Sequence, residues 1–108
     1  MSEIITNNKT ECGRAMEALR GVIDPEIGLN IVDLGLVYQI DFDEETNEIF
    51  LAMTLTTQFC PMGESIRDSA ESVMQDAFPG YRVHIHVIFD PPWTSERISQ
   101  EGREFLNQ

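Results

Sequence analysis

Positive charge is what this sequence has least of. Seven lysines and arginines stand against nineteen aspartates and glutamates, for a formal net charge of −12. A phosphate backbone needs a basic face to neutralise it, so nucleic acid is excluded as a partner. The same acidity repels an anionic membrane surface. Long apolar runs are also lacking. The longest, around residues 49–55 and 87–89, fall far short of the roughly 20 residues that cross a bilayer. Cysteine is scarce too. Cys12 and Cys60 are too few for a disulfide framework and are expected to be reduced thiols in the cytoplasm. The opening MSEIITNNKTEC has neither the basic nor the apolar region of a signal peptide.

What remains is globular material for one domain. The chain has 108 residues, 42% of them apolar, which excludes a disordered composition. Residues 1–9 are polar and are expected to fray, leaving 10–108 as the domain. Cys12, Ala15, Met16, Leu19, Val22 and Ile23 have the three-four spacing of an amphipathic helix, which Asp24-Pro25 should end. Cys12 lies on the apolar stripe of that helix and reads as core. Leu36, Tyr38, Ile40 and Phe42 alternate as in a strand, DEETNE supplies a turn, and 49–57 reads as the second strand of a hairpin. Both faces of that second strand begin apolar, so it should be central in its sheet. Ile66, Ala70, Val73, Met74 and Ala77 mark a second amphipathic helix that Phe78-Pro79-Gly80 stops. Val83, Ile85, Val87 and Phe89 form a third strand, and Thr94 or Ser95 should cap a last helix through about Leu106. The order αββαβα predicts a small α+β domain, an about three-stranded sheet with helices packed on one face.

The stretch TTQFCPMGES carries the chemistry. Proline is favoured in the first turn of a helix, so Cys60-Pro61 places Cys60 at the N-cap of the second helix. There a thiolate faces unpaired backbone N–H groups and the positive end of the helix dipole, which lowers its pKa. A serine or threonine would cap better, so the choice of a thiol hints at sulfur chemistry. The plainer reading is a small buried hydrophobe. A nucleophile would need a base. The only histidines, His84 and His86, alternate with the apolar row of the third strand, and nothing brings either to Cys60. An H-x-H pair on a strand can chelate a metal, but it reads first as an outward-facing surface. No C-x-x-C motif is present, and one thiol cannot make a four-cysteine cluster site. Cys60 with partner ligands could, as could two copies across a two-fold axis, which would make the protein a homodimer. The acids Asp24, Glu26 and Asp33, in the loop after the first helix, read either as turn formers or as added ligands.

DPEIGLNIVDLGLVY, TLTTQFCPM and FDPPWTSERIS resemble, in order and spacing, the three signature blocks of the metal–sulfur cluster biosynthesis family of small proteins, whose members include SufT and PaaD. The similarity runs from about Ala15 to the end of the sequence. It implies an iron–sulfur-cluster-assembly-like fold and an accessory, non-enzymatic role in iron–sulfur cluster assembly or protein maturation. Carried over by motif position, Asp24, Pro25 and Glu26 match DPE, and Asp33, Leu34 and Gly35 match DLG. Thr56 matches the threonine before the reactive cysteine, and Cys60 matches that cysteine. The resemblance thus implies a functional thiol at Cys60, transient iron or an iron–sulfur cluster on it, and support from Asp24, Glu26, Asp33, Thr56 and Thr57. The implied partners are the assembly machinery and client apoproteins, met in the cytoplasm. Gln58 stands where many members have proline, and the absence of a cysteine-rich C-terminal tail points away from a PaaD type. Two alternatives stay open. One is a protein-binding adaptor with a structural cysteine and Trp93 as its partner contact. The other is a PaaD-like maturation factor for a phenylacetyl-CoA oxygenase.

Overall fold

A computed structural model of the chain describes residues 4–56 and 63–107. Its elements are β1 (Ile5–Thr6), α1 (Lys9–Leu19), β2 (Val37–Asp43), β3 (Glu48–Met53), α2 (Gly63–Ala77), β4 (Arg82–Val87), a 3-10 turn (Ser95–Arg97) and α3 (Gln100–Leu106). The strands form one sheet in the order β1-β2-β3-β4. β2 and β3 make an antiparallel hairpin, while β1 runs parallel to β2 and β4 parallel to β3. The α+β class is as expected, and β3 lies between two neighbours, as its apolar faces require. The sheet has four strands rather than about three. The added strand lies in the polar N-terminal segment, where two residues carry no periodic signal. Asn7 anchors it: its side-chain amide donates to the Phe42 carbonyl at 2.9 Å and its side-chain oxygen accepts from Phe42 N–H at 2.9 Å. One side chain thereby stands in for another residue of the ladder.

Alternation fixes the two faces of the sheet. Ile40 pairs with Leu51 and Leu51 with Ile85; Phe42 pairs with Ile49 and Ile49 with Val83. These six are buried in one cluster with Cys12, Ala15 and Leu19 of α1 and Ile66, Ala70 and Met74 of α2. Each fully buried aliphatic side chain contributes about 1.5–3 kcal/mol. Cys12 is core, and burial pushes its thiol above the ordinary cysteine value, partly offset by a hydrogen bond with Thr6. The opposite face carries Asp41, Phe50 and His84 side by side. His84 stacks on Phe50 at 5.0 Å and its Nε2 lies 2.7 Å from Glu48. Hydrogen bonds to Glu48 from Thr46 and His84 hold its carboxyl below the usual range. Among the described residues no cluster of histidine, cysteine, aspartate and glutamate is placed to hold a metal.

Two helices differ from their expected extents. α1 is capped by Asn8, whose Oδ1 accepts from Glu11 N–H at 3.1 Å, and it ends at Leu19 rather than Ile23. Val22 and Ile23 join a small antiparallel link instead. Ile31 N–H donates to the Val22 carbonyl and Asp24 N–H to that of Leu29, each at 3.0 Å. The last helix is broken in two. Thr94 makes no side-chain cap, and the true N-cap of α3 is Ser99, whose Oγ accepts from Gly102 N–H at 3.0 Å. The break falls where Ser99 N–H donates to the Asp33 carbonyl at 2.7 Å, a tertiary bond that no local pattern encodes.

Candidate functional site

The loop from Asp24 to Gly35 is built by its own side chains and then fastened to the C-terminal block. Asp24 is buried. Its Oδ1 accepts from Glu26 N–H at 2.9 Å, and its carbonyl accepts from Ile27 and Gly28 N–H at 3.2 and 2.7 Å. This is an aspartate turn, closed by Gly28 in the left-handed region at φ 83°. Glu26 projects from the turn and is exposed.

Asp33 is the centre of the fastening. Its N–H donates to Asn30 Oδ1 at 2.9 Å, and Asn30 Nδ2 donates back to Oδ2 at 2.8 Å. Oδ1 accepts from Arg20 Nη1 at 3.1 Å and from Ser99 Oγ at 2.9 Å. Burial pushes this carboxyl up, but the bonds from Asn30, Ser99 and Arg20, with the Arg20 charge, outweigh it and hold the group below its ordinary value.

The next three residues each take a partner in turn. The Leu34 carbonyl accepts from Trp93 Nε1 at 2.6 Å. The Gly35 carbonyl accepts from Arg97 Nε at 3.2 Å. The Leu36 carbonyl accepts from Thr54 N–H at 2.8 Å, which ties the loop to the end of β3. Gly35 has φ 77°, and a Cβ there would meet the Arg97 carbonyl and stand 2.7 Å from Arg97 Cβ. The guanidinium of Arg97 lies 4.1 Å over the Tyr38 ring, and Tyr38 OH donates to the Pro91 carbonyl at 2.9 Å. A cavity of about 280 Å³ remains between loop and block, with Arg20, Gly35, Arg97 and Ser99 in its wall.

Asp33 and Trp93 therefore belong to one construction, and Asp24 stands at the far end of the same loop. Trp93 is half-buried, packed against the core. Thr56 lies two residues beyond Thr54, which is fully buried, and is itself half-buried. Thr57 and Cys60 lie outside the described residues, and with them the expected N-cap of α2. Sequence reasoning missed Arg20, Arg97 and Ser99. Ser99, three residues before a glycine N–H, carried a faint capping signal; the two arginines carried none.

Comparison with known proteins places this geometry among relatives. Residues 14–87 match the family model described as iron–sulfur cluster assembly protein. The chain is 39% identical over 88 residues to the Fe-S protein maturation auxiliary factor YitW of Bacillus subtilis, covering 82% of this chain and 85% of that one. It is 39% identical over 82 residues to the Fe-S protein maturation auxiliary factor SufT of Staphylococcus aureus, covering 76% and 92%. A crystal structure of a domain of unknown function, DUF59, from Bacillus anthracis superposes with a TM-score of 0.85 at 34% identity, covering 92% of this chain and 93% of that one.

Proposed function

The chain belongs to the iron–sulfur cluster assembly protein family, and from that membership we propose that it is an auxiliary factor in the maturation of iron–sulfur proteins. The observation that carries this reading is the reach of the match. Residues 14–87 contain the fastened loop, the end of β3 and Cys60 together. Cys60 is the working thiol, and iron or an iron–sulfur cluster is its transient cargo rather than a resident cofactor. Thr56 and Thr57 lead the chain from β3 to that thiol.

Asp24, Glu26 and Asp33 support the site by shaping the loop. Asp24 holds its turn through Glu26 N–H, and Asp33 binds the C-terminal block. The Leu36–Thr54 bond then carries the loop's position to the strand end. The partners are the assembly machinery and client apoproteins in the cytoplasm. Among the described residues no helix is long and apolar enough to cross a membrane. The role is delivery and adaptation, not turnover of a substrate.

Anaerobic affinity capture from native cytosol tests this, with wild type run beside Cys60→Ser. Bound iron and sulfide are assayed and the partners identified. The expected result is that wild type retains iron–sulfur assembly proteins or clients, and that Cys60→Ser loses them or the metal. Identical partners with no metal on either form would refute the thiol's role and leave a protein-binding adaptor.

A further inference from the structure

We propose that the cavity between the loop and the C-terminal block binds a carboxylate that carries a short apolar group. The argument begins with Arg97. Its guanidinium is held on its face by the Tyr38 ring at 4.1 Å and at Nε by the Gly35 carbonyl. The Nη edge is the part that binds a carboxylate through two parallel hydrogen bonds. Ion pairs among the described residues engage Arg14, Arg20, Arg67 and Arg82, but not Arg97. In a chain of net charge −12, an arginine locked in place without an acidic partner among the described residues is prepared for an anion from outside.

The cavity suits such an anion. Asp33, also in its wall, is already neutralised by Arg20, and its carboxylate accepts two further hydrogen bonds, from Asn30 and Ser99. Glu101, the other acid there, is exposed. Ile4, Met16, Val32 and Val37 make the rest apolar, and about 280 Å³ accommodates one short aliphatic group beside the carboxylate. The ligand is a free short-chain carboxylic acid or the terminal carboxylate of a peptide ending in an apolar residue.

Titration followed by amide NMR separates these sources. The probes are hexanoate, hexanol, and a short peptide ending in valine with a free or amidated terminus. Hexanoate or the free-acid peptide should shift the Gly35 and Ser99 amides saturably, with Kd on the order of 1 mM for a ligand this small. Preference for the free-acid peptide over its amide assigns the site to a chain terminus, and binding of hexanoate alone assigns it to a free acid. Arg97→Lys keeps the charge but loses the fork, and should weaken binding about tenfold with the fold intact. Val32→Phe should block the cavity independently, and Arg82→Ala on the far face of the sheet should bind as wild type. Equal shifts with hexanol, wild-type affinity in Arg97→Lys, or no saturation with any carboxylate would each overturn the proposal.

Discussion

Replacing Gly35 by alanine separates the fastening of the loop from the mere shape of its backbone. Two effects add at this position. The left-handed φ of 77° strains any residue with a Cβ, by about 1–2 kcal/mol. The new methyl also meets the backbone of Arg97, which cannot rotate away as a side-chain tip would. Forcing a packed contact apart adds about 1–3 kcal/mol. If the block is displaced, the bonds to Asp33, Leu34 and Gly35 weaken together, each contributing about 1 kcal/mol. The expected loss is therefore about 2–5 kcal/mol. Gly28→Ala is the internal control. Its φ of 83° imposes a similar backbone strain, but no described residue lies within 4 Å of the added Cβ. That variant should lose only about 1–2 kcal/mol. Urea unfolding followed by far-UV circular dichroism gives both values. Trp93, the single tryptophan, reports locally on the fastening because its indole donates to Leu34. Its fluorescence should change in Gly35→Ala and not in Gly28→Ala. If the two variants lose the same stability within about 0.5 kcal/mol, the close approach of Arg97 is not what requires glycine, and the reasoning fails.

Asp33 makes stability depend on acid. Its folded carboxyl is held below the ordinary value, so its contribution is fully present above the unfolded aspartate pKa of about 3.9. That contribution is lost as pH falls through the lower folded value. Asp33→Asn should be less stable at neutral pH and show a shallower acid limb in a melting-temperature series; an unchanged limb would assign the acid sensitivity to other carboxylates. Trp93→Phe keeps an aromatic ring but removes the 2.6 Å bond to Leu34. It should lose about 1 kcal/mol in thermal unfolding, and faster hydrogen exchange at Ser99 N–H should accompany that loss as the block loosens. Wild-type exchange at Ser99 would show that the indole bond does not hold the block.

The elements that repeat were legible in the sequence, and those that depend on a distant partner were not. Periods of two and 3.6 residues over six or more positions mark β2, β3, β4, α1 and α2, because each buries one face in the same core. The resemblance of the three blocks likewise needed no coordinates, since residue types in fixed order carry it. β1 escaped notice because its pairing is anchored by the side chain of Asn7 on Phe42, 35 positions away. The spacing carries α1 too far because Val22 and Ile23 keep the helical period while the link to Asn30 and Ile31 claims their backbone. Along the sequence the last helix reads as continuous, because its break is imposed by Asp33, 66 positions from Ser99. Asp33 itself stands out in the sequence, but as a turn former or ligand. The sequence alone determined which segments fold and that a thiol stands after a strand end. Only the tertiary structure decided that Asp33, Leu34 and Gly35 each grip a different residue of the C-terminal block. That choice depends on which backbone groups lack a local partner once the core has formed, and it cannot be read from neighbours along the chain.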